Sequence, residues 1–135
     1  MADRSVALFA AIYATLASNA PLTALLGGTG RVHDHVAPGA PLPYVVIGDE
    51  TAIDAGSTLS DAQEHTITIH TWSEAPSSLE VKRLQGAVRD ALHEASLVLS
   101  AGRCTQIRQE FKETLRDPDG ITHHGVQRFR AYTED

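Results

Sequence analysis

The histidines are the residues most able to do chemistry in this 135-residue sequence, which contains seven of them. His33 and His35 form a His-x-His pair, and His123 and His124 are adjacent. On a strand, His33 and His35 would share one face and could begin a metal site. A zinc site needs further ligands, and no Cys pair or His-Glu-x-x-His pattern supplies them. The sequence therefore favours surface or interface histidines at strand ends, with no metal and no cofactor.

Three other groups give weaker signals of chemistry. Cys104 is a lone cysteine on a predicted strand without a glycine-rich elbow, which favours a small packing residue over a nucleophile. The Gly-Gly-Thr-Gly run at 27–30 follows a predicted helix and lacks a Gly-Lys-Ser/Thr ending, so it indicates a helix end and a turn. Asp49, Glu50 and Asp54 stand at a strand end and in a polar loop, where carboxylates are usually solvated. These patterns predict a protein that is not an enzyme.

Composition narrows the class of protein further. With 42% hydrophobic and 21% charged residues, the chain is an ordinary globular sequence, and its length predicts a single domain over 1–135. The net charge of −6 argues against a protein that grips nucleic acid through a basic face, although DNA could still pass through it. One cysteine allows no intrachain disulfide. We expect neither a signal peptide nor a membrane span.

The spacing of apolar residues predicts helices over 5–18, 21–26 and 78–95. Asp3 or Ser5 could cap the first helix, and Ser77 with Glu80 forms a capping-box pattern before the third. The first helix is expected to bury a stripe of Val6, Phe9, Ile12, Tyr13 and Leu16.

Alternating and β-rich runs predict strands over 31–36, 44–48, 64–72, 103–115 and 122–133. Within 64–72, His65, Ile67 and Ile69 should share one face. Trp72 should contact the following helix, with a role as an interface residue as the alternative. We expect a bulge near Gly125. The predicted fold is α+β: a mostly antiparallel sheet with two main helices packed on one face, plus a short helix.

The predicted contact regions are the C-terminal strand and two polar segments. Residues 50–62 are small and polar, which indicates a long loop or a flexible hairpin tip, and Asp-Pro-Asp-Gly at 117–120 indicates a tight turn. Loop tips carry adaptable polar groups suited to binding partners. The candidate interface residues are Asp54, Gly56, Ser57, Thr58, Asp61, Asp117, Asp119, His123 and His124.

The order of segments resembles the tail-completion, or tail-terminator, family of long-tailed phages, prophages and gene transfer agents. The resemblance covers nearly the whole chain and rests on segments 20–27, 31–36, 41–48 and 64–73, and above all on the tail end from Arg116-Asp117-Pro118-Asp119-Gly120 through His124-Gly125-Val126-Gln127-Arg128-Phe129-Arg130-Ala131. His33 departs from the pattern, because related chains often carry an aromatic residue there.

The resemblance implies a structural virion protein made in the bacterial host cytoplasm. Its copies would form a hexameric ring that ends the tail tube, contacts the tail-tube protein and the head-completion (stopper) protein, and lets DNA pass through its lumen. An acidic chain suits such a passage, because like charge repels phosphate. The alternatives are a head–tail stopper or tail-tube subunit, a small metal-binding or enzymatic domain, and a generic interaction domain.

Overall fold

A five-stranded sheet organises the protein, for which a computed structural model describes residues 3–135. The elements are α1 (Ser5–Ala17), α2 (Ala20–Leu26), β1 (Val32–His33), β2 (Tyr44–Asp54), β3 (Ala62–Ser73), α3 (Leu79–Leu92), β4 (Arg103–Arg116) and β5 (His123–Glu134). The strand order is β1-β2-β3-β5-β4, with β1 parallel to β2 and every other pair antiparallel. The predicted α+β fold is confirmed.

The helices cover one face of the sheet, here called the inner face, and leave the opposite, outer face open. Strand β3 alternates strictly, so His65, Ile67 and Ile69 point inward as predicted. Ile67 and Ile69 belong to a core with Phe129 of β5 and Ile107 of β4 that also includes residues of all three helices. Alternation with one buried face is what a half-covered antiparallel sheet requires.

The buried stripe of α1 differs from the predicted one. Leu8, Ile12 and Leu16 are buried at four-residue spacing, whereas Val6 is 82% exposed and Tyr13 is 40% exposed. The true stripe is rotated towards Leu8, so it keeps Ile12 and Leu16 but turns Val6 and Tyr13 outward. Phe9 stacks against Tyr13 with ring centroids 6.3 Å apart, next to that stripe. Because both stripes contain Ile12 and Leu16, the sequence pattern alone did not separate them.

Two predicted strand boundaries change, and so does the position of a predicted bulge. The strand expected over 31–36 is only Val32–His33. Strand β2 runs on through Asp54, so the loop expected over 50–62 shrinks to 55–61. The predicted bulge near Gly125 is wrong: β5 pairs in unbroken register with β3, and the irregularities lie in β4, between Cys104 and Gln106 and between Gln109 and Phe111. Val126 and Phe129 break alternation because they point to opposite faces.

The helix ends are set by residues that were only partly predicted. Asn19 accepts a hydrogen bond from the amide of Leu22 at the start of α2, and Gly27 ends that helix at φ 84°, as the glycine run indicated. Asp3 accepts from the Ser5 amide before α1, although Arg4 occupies the cap position. The predicted capping box of α3 does not form, since Ser78 is the cap residue and makes no side-chain bond.

Over residues 3–135, no single helix is long and apolar enough to cross a membrane. Helices α1 and α2, which are bent by 68° at the break between them, have the length and apolar composition of a membrane span only when they are counted as one segment.

Candidate interaction surfaces

The two predicted contact loops lie at opposite ends of the sheet. The 55–61 loop joins β2 to β3 beside the C-terminus, where Ala62 pairs with Glu134. The 117–122 turn joins β4 to β5, where His123 pairs with Ser73 at the far end of β3. A strand of 12 residues separates these points, which corresponds to roughly 35–40 Å. We call them the hairpin end and the turn end.

The tip of the hairpin end is exposed yet internally bonded. The Ser57 amide donates to the Ser60 carbonyl at 2.9 Å, and the Leu59 amide donates to Ser57 Oγ at 3.2 Å. Asp54 Oδ1 accepts from the Gly56 amide at 2.9 Å. A Cβ on Gly56 would lie 2.4 Å from the Ser60 carbonyl oxygen, so only glycine allows the loop to close this tightly. The 55–61 loop, with Thr58 exposed among these residues, therefore has a defined shape.

Arg4, just before α1, holds the hairpin end in place with a fully buried side chain. Its Nη1 lies 3.4 Å from Asp61 Oδ2 and 3.3 Å from Asp135 Oδ1, and its Nε donates to Thr133 Oγ1 at 3.0 Å. A buried guanidinium needs such partners, because desolvation of an unpaired charge is costly. Asp61 was predicted to be an interface residue, but its carboxylate mainly pairs with Arg4 inside the subunit.

His65 extends this polar cluster towards β2. Its Nδ1 lies 2.7 Å from Glu50 Oε2, and its Nε2 lies 2.8 Å from Thr133 Oγ1. When Nδ1 carries a proton, it donates to the carboxylate, while the Thr133 hydroxyl can accept from Arg4 and donate to His65. Strands β2, β3 and β5 are therefore joined by a chain of side-chain bonds that sequence analysis missed. Glu50, expected to be a solvated carboxylate, has a structural partner.

Asp119 fixes the turn end. Its carboxylate accepts hydrogen bonds from the amides of Ile121 and Thr122, both at 2.8 Å, and from the Thr122 hydroxyl at 2.7 Å. The hydrogen bond from the backbone amide of Thr122 is the main reason that the pKa of Asp119 is lowered from its usual value. The Asp117 carbonyl accepts from Gly120, which has φ 74°. The predicted tight turn is confirmed, and Asp119 serves its geometry.

A stack of aromatic rings occupies the outer face at the turn end. Trp72 lies flat on His124 with ring centroids 3.8 Å apart, and His124 Nε2 lies 2.8 Å from His70 Nδ1. Burial is the main cause that lowers the pKa of both histidines. The prediction that Trp72 contacts the following helix is wrong, because even-numbered residues of β3 point away from the helices.

His123 differs from its neighbour. Its side chain points inward and is only 5% exposed, without a hydrogen-bond partner for either ring nitrogen. Adjacent residues on a strand face opposite ways. The expectation that both histidines offer contact surface is therefore corrected: in the isolated subunit only His124 reaches the outside.

A layer of buried amides lies under the turn end, and the sequence did not reveal it. Gln85 of α3 is fully buried, with its Nε2 donating to the Glu113 carbonyl at 3.0 Å and its Oε1 accepting from Thr114 at 3.1 Å. Gln127 donates to the Gln85 carbonyl at 2.9 Å. A Cβ on Gly125 would lie 2.5 Å from Gln85 Nε2, so this glycine makes room for the amide.

A groove of about 400 Å³ lies between α2 and α3. Pro21, Leu25, Gly86 and Ala87 give it an apolar floor of small and aliphatic residues, and the remaining lining residues are Asn19, Arg83 and Asp90. Leu25 remains 40% exposed. An apolar concave site of this kind can receive one side chain from a partner.

The residues first considered for metal binding do not come together. His33 is half-buried on β1 with its ring 5.4 Å from that of Tyr44, while His35 is exposed beyond the strand. Within the described part of the chain, no group of three or more His, Cys, Asp or Glu side chains could hold a metal ion. Cys104 packs against the core, and burial raises the pKa of its thiol.

Fold and surfaces define a small α+β protein with two pre-shaped loops at opposite ends of one sheet. The chain belongs to the family described as "Tail completion protein gp17", whose model matches residues 10–134. The predicted resemblance is therefore confirmed, as is the expectation of a structural component of a virion tail.

The individual relatives agree with the family. "Tail completion protein gp17" of Bacillus phage SPP1 is 27% identical over 90 residues, which is 67% of this chain and 66%, just under two thirds, of the relative. A chain in the structure described as "Virion of native gene transfer agent (GTA) particle" is 33% identical, with a TM-score of 0.91 and full coverage of both chains. The structure of bacteriophage SPP1 gp17 is 25% identical, with a TM-score of 0.64 over 94% of this chain and 88% of the other.

Proposed function

We propose that this tail-completion protein acts as the tail terminator, forming a hexameric ring that ends the tail tube and joins the tail to the head-completion (stopper) complex. The observation that carries the proposal is the placement of two pre-shaped loops at opposite ends of one sheet. A joining ring must contact different partners above and below. A subunit with one contact region at each end of a stiff sheet meets that need.

Ring formation requires a second kind of contact. In a closed cyclic ring each subunit offers two different side patches to its neighbours, because head-to-tail contacts are heterologous. The partners are therefore other copies of this chain, the tail-tube protein and the head-completion protein.

DNA enters this proposal only as passing cargo. The chain carries a net charge of −6, which disfavours binding of phosphate. On the outer face, Arg130 is paired with Glu64 at 3.0 Å and with Glu110 at 2.9 Å. Pairing neutralises a cation that could otherwise hold the backbone of DNA. We accordingly propose a lumen that is neutral or negative.

We also propose that the chain has no catalytic role and needs no metal or cofactor. The prominent side-chain clusters have structural explanations: His65 links three strands, and Asp119 shapes a turn. The family is one of structural tail proteins.

Imaging of assembled particles tests the terminator role directly. We expect six copies of this chain on the tail axis, between the last ring of the tail tube and the head-completion complex. A position within the head connector would favour the stopper alternative, and repetition along the tail would favour a tube subunit. A position away from the axis would refute all three.

Shortening the 55–61 loop tests its part in the joint. Replacing residues 56–60 by an Asn-Gly pair leaves a three-residue loop that ends in Asp61 and keeps Ala55 paired with Ala62. It should preserve the fold, because three-residue hairpin loops are common. We expect separate filled heads and free tails. Joined, DNA-transferring particles at wild-type yield would show that the loop is not a contact. Far-ultraviolet circular dichroism of the purified variant would check that its fold is intact.

A further inference from the structure

Leu59 is the most exposed large apolar residue of the described chain, with 96% of its surface accessible. It does not lie in a shapeless loop, because bonds between Ser57 and Ser60 hold the tip on both sides of it. Exposed apolar side chains are common one by one. A leucine presented at the apex of a bonded, protruding hairpin, however, is positioned as an anchor for a partner.

The groove between α2 and α3 has the complementary shape. Its floor is formed by Pro21, Leu25, Gly86 and Ala87, and its volume of about 400 Å³ is ample for a leucine side chain. A Cβ on Gly86 would meet nothing within 4 Å, so the open space continues up to the backbone of α3. A glycine inside a helix lowers the stability of the helix by up to about 1 kcal/mol relative to alanine. Space for an incoming side chain offsets that cost.

Charge favours the same match. From Tyr44 to Ala62 the hairpin has no Lys or Arg. Glu50 and Asp61 pair with His65 and Arg4 inside the subunit, and Asp49 and Asp54 remain as exposed carboxylates. The groove has Arg83 in its lining, and α3 as a whole carries three basic and two acidic residues, with Asp90 the acidic member that also lines the groove. The acidic flank of the hairpin can therefore lie against the Arg83 end of the groove.

We propose that Leu59 of one copy of this chain seats in the α2–α3 groove of the next copy. This inference rests on the ring proposed above and specifies one of its contacts: it assigns the apex of the 55–61 loop to the neighbouring copy and leaves the rest of the hairpin end for the partner above or below. Leu59 and the groove do not meet within one chain, since Leu59 is almost fully accessible. The contact is therefore heterologous and directional, as closure of a ring requires.

Cross-linking within assembled tails tests the contact. In a Cys104→Ser background, Leu59→Cys combined with Gly86→Cys should give covalent multimers up to the full ring after oxidation or treatment with a short bis-maleimide. Either single cysteine variant should give no ladder above dimer. Imaging of the same untreated tails reports whether a ring is present. A ring in the untreated variant tails without covalent multimers after treatment overturns the Leu59 contact alone, whereas absence of any ring from wild-type tails overturns the proposed function itself.

Substitutions supply an independent measurement. Leu59→Asp and Gly86→Trp should each abolish ring formation, the first by placing a charge in the groove and the second by filling it. Val98→Asp is the matched control for the first, since Val98 is 88% exposed outside both surfaces. Gly86→Ala is the control for the second, and both controls should assemble at wild-type yield. If Leu59→Asp still forms rings but fails to join heads to tails, the tip contacts another protein and the inference is wrong.

Discussion

The two ends of the sheet are held by different chemistry. At the hairpin end, a buried guanidinium is surrounded by carboxylates and a hydroxyl, with Arg4 and Thr133 at the centre. At the turn end, neutral amides fill the inner face and stacked rings fill the outer face, with Gln85 and Trp72 at their centres. An ionic anchor concentrates its stabilisation in one residue, whereas amides and rings distribute theirs over several.

This difference matters for a protein proposed to contact two partners. The hairpin end combines a firm base with an exposed tip, so changes at the tip should leave the fold untouched. The turn end has its contact residues close to its structural ones, because Asp119 shapes the turn and His124 belongs to the ring stack. We expect substitutions there to alter stability and binding together.

Removal of the ionic anchor should have the largest effect. Arg4→Met keeps much of the aliphatic volume but removes the cation beside Asp61 and one of the two side-chain partners of Thr133. We expect a loss of about 3 kcal/mol in the free energy of unfolding. Urea denaturation measures it. Arg103→Ala is the control, because the Arg103–Glu134 pair at 2.8 Å is solvent-exposed and should contribute less than about 1 kcal/mol. Equal losses in the two variants would contradict a special role for Arg4.

The amide layer should be the next most sensitive feature. Gly125→Ala places a Cβ against Gln85 and forces its amide away from the Glu113 carbonyl. We expect a cost of about 2 kcal/mol from crowding and the lost hydrogen bond. In the double variant with Gln85→Ala, the crowding disappears, so the two costs should sum to more than the measured total. Strict additivity would show that Gly125 is required for another reason.

These two features also mark how far the sequence could predict the fold. Strand β3 was identified correctly because alternation is a local pattern over consecutive residues. Burial of Arg4 depends on Asp61 and Asp135, which are 57 and 131 residues away in sequence. Gln85 of α3 is a polar residue that no sequence pattern marked as buried, and its burial depends on the missing side chain of Gly125. No local pattern encodes such partners.

The contact surfaces show the same limit. Both loops were indicated by the sequence, one by the polar composition around residues 55–61 and the other by the Asp-Pro-Asp-Gly pattern. Such patterns are informative because a few residue types dominate turns. Their position at opposite ends follows from the order of strands in the sheet, which the sequence did not specify. The α2–α3 groove was not predicted because it forms between helices distant in sequence.

A pH change should affect the turn end through its histidine pair. Burial, the main cause, holds the pKa of His70 and His124 below the usual 6.5, with His70 also lowering that of His124, while Asp49, Glu113 and Asp117 act in the opposite direction. As pH falls from about 6.5, the unfolded chain therefore binds protons before the folded chain does. The stabilisation is complete above that pH and is lost as pH falls through the folded pKa values.

Measurement of this effect needs a difference between variants, because other groups titrate in the same range. The unfolding midpoint of the wild type should fall more between pH 7.5 and pH 5 than that of the double variant His70→Gln/His124→Gln. The Arg4→Met variant should retain the full difference, since its change lies at the other end of the sheet. An identical pH slope in the wild type and the double glutamine variant would contradict the assignment.

The smallest expected effect concerns the start of α3, next to the turn end. The sequence pattern of Ser77 and Glu80 predicts a capping box, whose loss would typically cost about 1 kcal/mol. In the structure the Glu80 carboxylate instead accepts from Ser73 Oγ at 2.6 Å, and Ser77 Oγ only accepts from the Leu79 amide at a long 3.3 Å. Ser77→Ala should therefore lower the free energy of unfolding by less than about 0.5 kcal/mol. Ser73→Ala, which leaves the half-buried Glu80 carboxylate without its donor, should cost about 1 kcal/mol or more. If urea denaturation gives the reverse order, α3 begins with the capping box that the sequence indicated, and the link between β3 and α3 is weaker than the Ser73–Glu80 distance implies.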